Sequence, residues 1–386
     1  MVSRNWMANS ISRPLVAARI AALAVSCTLL TIALQVNGQE GVELETNPSE
    51  VVPSTSKLPV AGPAIPNLPT LTLGGKLFWT DEEVQAGWRI QRSSMTGHYR
   101  LLDDQNYRHA YGSLEHCEQQ LREIQQLRAL PAAEGEVVVT LHGLLRSRDV
   151  MEGLGEYLQR EGDLQPVHVS YASTRRTLDE HAESLSRVID RLGSRVTKIH
   201  FVGHSLGNLV IRRYYGEAGA EDPLWKVDPR AGRVVMLAPP NQGARAAKMW
   251  RDNDLFKLVA GPSGKQLGLE WKQIEPRLAR PTGEFGIVAG AHPAGSSLLS
   301  LLPGDDDLVL SVSETKLPGA ADSIVVPLHH GEVISNPEVQ AYVLRFLQEG
   351  HFVAADQREP IPLDKTTTAP LASEPDCTLS VEGSER

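Results

Sequence analysis

The run Gly203-His204-Ser205-Leu206-Gly207 places one serine between glycines two positions away on either side. Before it, Ile199 to Val202 is β-branched or aromatic apart from His200, the pattern of a buried strand. After it, Leu206, Leu209, Val210 and Tyr214 recur at helical spacing. Ser205 therefore falls on a strand-to-helix turn. A turn this tight crowds its neighbours, and small residues two positions away relieve the clash. Such a turn holds a hydroxyl out of the sheet as a nucleophile. The helix that follows aims its dipole and free amides at the reacting atom.

Attack on a carbonyl creates an oxyanion, which needs amide donors fixed in advance, each worth about 2.7–4 kcal/mol. One is the amide after the nucleophile, Leu206. A second is expected in Thr140 to Asp149, "TLHGLLRSRD", at the carboxyl end of the first long apolar strand, where the amide after His142-Gly143 is Leu144. His142, Gly143 and Arg146 of this loop are expected to line the substrate site. Arg146 and Arg148 suit an anionic headgroup, and equally suit ordinary solvated loop arginines. A base must then take the serine proton, and an acid must orient that base. "PGDDDLVLSVSETKLPGA" follows the next-to-last strand and "VVPLHHGEVISNPEV" follows the last, so the chain order is Ser, Asp, His. The candidates are Asp305, Asp306 and Asp307, with His329 and His330. The aspartates also suit a solvated acidic turn or a calcium site. His204 reads as a wall of the turn.

These residues need a frame. From Glu136 the chain alternates apolar strands with helical stripes: "EVVVTLHG", "PVHVSY", "KIHFVGHS", "RVVMLAPP", "GEFGIVAG" and "DSIVVPLHH", with helices at 149–159, 177–192, 206–215, 244–259 and 337–347. That alternation predicts a parallel sheet covered on both faces, with ligands outside the carboxyl ends of its strands. Ahead of it, "KLFWT", "WRIQR" and "YRLLD" predict a short meander over one sheet edge, followed by a helix from Ser113 to Leu130. The expected organisation is residues 1–38 as signal peptide or membrane anchor and 39–70 as a disordered linker. Residues 71–134 are strands and a helix packed on the sheet, 135–353 the α/β domain, and 354–386 a disordered tail.

The whole chain has 386 residues, 41% of them hydrophobic and 22% charged, which is ordinary for a globular protein. Its net charge of -9 offers no general attraction for nucleic acid. Its three cysteines, Cys27, Cys117 and Cys377, make neither a disulfide framework nor a CxxC metal motif. Arg4, Arg13 and Arg19 precede the apolar run from Ile20 to Val36, the order of an export signal. The chain is thus expected to be exported, either secreted or periplasmic after cleavage or held at a membrane through residues 20–36.

On "LHGLLRS", "HFVGHSLGNLVIRRYY", "LAPPNQGA", "DDDLVLSVSETKL" and "HHGEVISNPEV" the chain resembles the α/β-hydrolase family, and within it the lid-poor bacterial lipases and esterases. The resemblance covers roughly residues 135–350. It implies an α/β-hydrolase fold with a mostly parallel central sheet and helices on both faces. In these relatives a small or apolar residue and then valine follow the acid, which points to Asp307. Apolar residues three and four positions after the base point to His330. Leu308 departs from the pattern, since glycine is common there. The implied activity is hydrolysis of carboxylic esters through Ser205, His330 and Asp307, with no cofactor or metal and a small-molecule or lipid ester as substrate. Residues 244–281, with Trp250, Leu255, Phe256, Leu258, Leu267 and Trp271, and the rim at 294–304 suit an acyl pocket, or plain core packing. A thioesterase or acyltransferase would use the same residues. A non-catalytic binding protein of the cell envelope would have no reason to keep them all.

Overall fold

A computed structural model of the chain describes residues 70–72, 77–217, 223–244, 254–291 and 310–363. It holds two sheets. The smaller is antiparallel: β1 (Thr70–Leu71), β2 (Trp79–Gln85), β3 (Trp88–Ser93), β4 (Tyr99–Leu102) and β5 (Tyr107–Gly112), in the order β1-β5-β4-β3-β2. Ala86 and Gly87, at φ 47° and 82°, make the two-residue primed turn that suits the twist of the β2–β3 hairpin. Helix α1 (Leu114–Arg128) starts at Ser113, whose side chain accepts from the His116 amide. It buries Cys117 and Leu121 against Trp88, Ile90, Leu101 and Ala110. The three expected meander strands are here as β2, β3 and β4, and β5 and the short β1 extend them. The sheet meets the edge of the larger one: the Asp81 amide donates to the Ser170 carbonyl at 2.9 Å, just past the end of β7 (Gln165–Val169).

The larger sheet comprises β6 (Gly135–Leu141), β7, β8 (Val196–His204), β9 (Ala231–Leu237), β10 (Phe285–Gly290) and β11 (Asp322–Val326), paired in parallel in the order β11-β10-β9-β8-β6-β7. Alternate residues go to opposite faces. Val137, Val139 and Leu141 join one core, with Leu185 and Val188 of α3 (Leu178–Asp190) and Leu209 and Tyr214 of α4 (Leu206–Gly216). Val138, Val202 and Val235 join the other, with Leu154 and Leu158 of α2 (Glu152–Gly162) and Val343 and Phe346 of α8 (Pro337–Glu349). The remaining α-helices among the described residues are α5 (Asp254–Leu267), α6 (Trp271–Ile274) and α7 (Val312–Thr315). Burial of both faces is why these strands read as continuous apolar runs. Each buried aliphatic side chain contributes about 1.5–3 kcal/mol. This is the α/β-hydrolase architecture expected from the sequence. The first crossover runs from β6 outward to β7 and the next returns past β6 to β8, so the winding reverses between β6 and β8. The loops after these two strands flank the crevice where such sheets bind ligands.

Beyond α8 the chain remains fastened, which corrects the disordered tail expected from residue 354. The buried Asp322 carboxylate accepts from the Phe352 and Glu359 amides, both at 2.8 Å. Ile361 pairs with Ala320 and Gly319 through backbone bonds of 3.0 and 2.8 Å. The expected signal or anchor at 1–38, the linker to residue 69 and the tail from 364 lie outside the described residues. Among the described residues no helix is long and apolar enough to cross a membrane.

Candidate active site

Ser205 sits between the last residue of β8 and the first of α4, at φ 51° and ψ -119°. A non-glycine residue in this region is strained by about 1–3 kcal/mol and persists only where its surroundings fix it. The fixing groups are visible. The Ser205 amide donates to the Leu237 carbonyl of β9 at 3.0 Å. Asn208, fully buried, donates from its side-chain nitrogen to the carbonyls of Ser205 at 3.1 Å and Leu237 at 3.0 Å. The glycines are required by close approach. A Cβ on Gly203 would lie 2.8 Å from the Asn208 main-chain nitrogen, and one on Gly207 would lie 2.5 Å from the Leu141 carbonyl oxygen. Leu206, as the first residue of α4, has an amide with no acceptor inside the helix.

The loop after β6 lies against this turn. A Cβ on Gly143 would meet the Ser205 Cβ at 3.1 Å and the His204 Nδ1 at 3.0 Å. The loop bends through Leu145 at φ 60°. The Leu145 amide donates to the Ser173 hydroxyl at 3.1 Å, and the Arg146 amide to the Gly143 carbonyl at 3.2 Å. The Leu144 amide, between Gly143 and this bend, has no acceptor among the described residues.

His142 corrects the expectation that it lines the substrate site. Its side chain is fully buried, stacked on Tyr171 with ring centres 4.2 Å apart. The Tyr171 amide reaches its Nε2 at 3.4 Å, so Nε2 accepts and Nδ1 carries the proton donated to the Gly143 carbonyl at 2.8 Å. Burial pushes this imidazole down to about 4, which keeps it neutral. Its role is to hold the loop. Arg148 turns back to Glu152 at 3.5 Å. Arg146 stays exposed at the rim, its Nη2 3.7 Å from where a Cβ on Gly331 would be.

His330 follows β11 on a turn closed by the Glu332 amide donating to the His329 carbonyl at 2.9 Å. Buried Val333 and Ile334 anchor that turn in the core shared with α2 and α8. The His330 ring lies 4.8 Å from the ring of His204, the residue before Ser205. His204 is buried, and its Nε2 donates to the His330 carbonyl at 3.0 Å. Burial, and then the nearby His330, hold His204 well below the usual histidine range, so it is neutral.

Gly143 thus lies against Ser205 and His204, Arg146 near Gly331, and the His330 ring against that of His204. Asp305, Asp306 and Asp307 lie outside the described residues, as do Trp250, the rim at 294–304 and the side chains of Leu255, Phe256 and Leu258. Leu267 and Trp271 are buried in the core of the α3–α4 face. Among the described residues no group of His, Cys, Asp or Glu could hold a metal ion. Tyr171 and Ser173, which hold the loop in place, carry no local mark in the sequence, whereas Asn208, which holds the turn, lies three residues after Ser205.

No protein-family model matches the chain, and no curated protein matches it. Solved structures similar to it include the mature lipase BlEst2 of Bacillus licheniformis, at 15% identity, TM-score 0.45, 56% of this chain and 94% of that one. The phospholipase PlaB of Legionella pneumophila in complex with thio-NAD is similar at 14% identity and TM-score 0.42, over 55% of this chain and 58% of that one. The Staphylococcus hyicus lipase is similar at 13% identity and TM-score 0.38, over 52% and 89%.

Proposed function

We propose that the protein is a serine hydrolase of carboxylic esters. The observation that carries this reading is Ser205 itself, held in a strained conformation at a strand-to-helix turn whose neighbouring glycines leave no room for a side chain. The Ser205 hydroxyl attacks the ester carbonyl while His330 takes its proton, and the developing oxyanion accepts from the amides of Leu206 and Leu144. Asp307 is proposed as the acid that orients His330. Collapse of the tetrahedral intermediate expels the alcohol, which leaves with the proton from His330, and an acyl-enzyme remains. Water, deprotonated by His330, then attacks the acyl carbon, and release of the carboxylic acid restores Ser205. Arg146 at the rim favours an ester with an anionic group near the scissile bond. The basic and then apolar N-terminus supports an exported protein.

Hydrolysis of nitrophenyl esters from acetate to palmitate by the full-length protein, beside Ser205→Ala, tests the reading. Turnover that depends on Ser205 is expected, with its maximum above acetate. Turnover retained in Ser205→Ala overturns the assignment, and a preference for acetate overturns a lipid substrate.

A further inference from the structure

Asp81 is fully buried on β2 of the small sheet, yet its carboxylate reaches the other sheet. One oxygen accepts from the Ser170 amide at 2.6 Å, and the other accepts from the Gln91 side chain at 2.7 Å. Gln91 in turn accepts from the buried Arg100 guanidinium at 2.6 Å. The neighbouring Thr80 hydroxyl accepts from the Ala172 amide at 3.1 Å. With the Asp81 amide bonded to the Ser170 carbonyl, two consecutive residues of β2 hold three backbone groups of the segment leaving β7.

That segment is also the one that holds the loop after β6. Tyr171, between the two bracketed residues, stacks on His142 and donates from its hydroxyl to the His142 carbonyl. Ser173, whose amide is bonded to the Tyr171 carbonyl at 2.8 Å, accepts from the Leu145 amide. A continuous path of buried contacts therefore runs from Asp81 and Thr80, through residues 170–173, to the bend beside Leu144.

Stability alone does not call for this arrangement. Burying a carboxylate is costly, and apolar packing often does as well or better. Burial in fact pushes the Asp81 carboxyl above its usual range, against the pull of Arg89. What a buried polar network adds is a fixed position. We propose that the N-terminal sheet is a positioning element of the active site: Asp81 and Thr80 fix residues 170–173, and these set the aim of the Leu144 amide. The inference rests on the hydrolase reading above. An oxyanion donor lost outright costs a factor of about 10²–10³. A donor displaced by about 1 Å costs up to roughly 10².

The test compares full-length wild type with Thr80→Val, Asp81→Asn and Ser173→Ala. Leu121→Ala serves as a purely structural control, since it opens the core between α1 and the small sheet and removes no bond of the path. The readouts are kcat and KM on a nitrophenyl ester, inhibition by a trifluoromethyl ketone whose serine adduct is an oxyanion, and the melting temperature. The three path variants are expected to lower kcat about 10- to 100-fold with KM little changed, and to weaken the ketone by a similar factor. Leu121→Ala is expected to lower only the melting temperature. If Asp81→Asn does not fold, Thr80→Val and Ser173→Ala decide. Path variants that melt earlier but keep wild-type kcat and ketone affinity overturn the positioning role and leave the hydrolase reading intact. A folded wild type with no Ser205-dependent turnover overturns the hydrolase reading itself, and this inference with it.

Discussion

The Nε2 of His204 lies 3.0 Å from the main-chain carbonyl oxygen of His330. His204 is joined to Ser205 by one peptide bond, so a single buried ring ties the turn that carries the proposed nucleophile to the turn that carries the proposed base. Because a carbonyl only accepts, Nε2 holds the proton. Burial keeps the ring neutral and prevents it from competing as a base.

His204→Phe keeps the ring volume and removes the donor. Leaving the His330 carbonyl without it costs about 1–1.5 kcal/mol, or about tenfold in kcat, if the bond sets the base's position. His204→Gln, which restores a donor, should recover part of the loss. Wild-type kcat in His204→Phe would show that the base is positioned by other contacts.

Gly143→Ala probes the contact between the loop after β6, the proposed oxyanion loop, and the serine. The added methyl would press on the Ser205 Cβ at 3.1 Å and on the His204 ring at 3.0 Å. Both must shift by a few tenths of an ångström. A fall in kcat of roughly tenfold or more is expected, with little change in melting temperature. Unchanged kinetics would mean that the crevice tolerates wider spacing than this geometry allows.

Gly207→Ala acts on stability. Its methyl would lie 2.5 Å from the Leu141 carbonyl oxygen and 2.9 Å from that of His142, and backbone atoms of a central strand cannot move aside cheaply. Overpacking of this kind costs about 1–3 kcal/mol or more. For a domain of this size that lowers the melting temperature by roughly 2–12 °C. A melting temperature within about 1 °C of wild type would contradict the tight packing of α4 on β6.

Acid should destabilise the protein through its buried histidines. Burial pushes His142 and His168 down to about 4 and His181 to about 3. Unfolded, each titrates near 6.5. Below about pH 6.5 the unfolded chain therefore binds protons that the folded chain refuses. Their contribution is full above that pH and is lost as pH falls through the folded values, at most roughly 3 kcal/mol for His142. Urea unfolding between pH 7 and pH 4.5 should show stability falling with pH. His142→Gln should flatten the slope by about one proton. An identical slope in the variant would mean that His142 is protonated in the fold.

Much of this site was legible along the chain because its signals are local. Gly203, Ser205 and Gly207 lie within five residues, and the strand and helix on either side announce themselves by period. The strands of the large sheet are legible for a related reason: burial on both faces leaves runs such as Val137 to Leu141. What escaped is held by contacts distant in sequence. Nothing near Asp81 marks a carboxylate that reaches Ser170, and nothing near Tyr171 marks a ring that stacks on His142. His142 reads along the chain as a substrate contact because a histidine before a glycine carries no sign of burial. Residues 354–363 read as disordered because they have no periodicity, yet main-chain bonds and the Asp322 carboxylate dock them without any.

An activated serine nucleophile at position 205 can be trapped covalently. A fluorophosphonate reacts with such a serine, losing fluoride and leaving a covalent phosphonate on the hydroxyl oxygen. The full-length protein would be treated with it and digested, and the modified peptide identified by mass, with Ser205→Ala alongside. One label per chain on Ser205 is predicted, with loss of ester turnover in proportion and neither label nor turnover in Ser205→Ala. A folded protein that takes no label at Ser205, or a Ser205→Ala variant that still hydrolyses esters, would show that Ser205 is not the nucleophile.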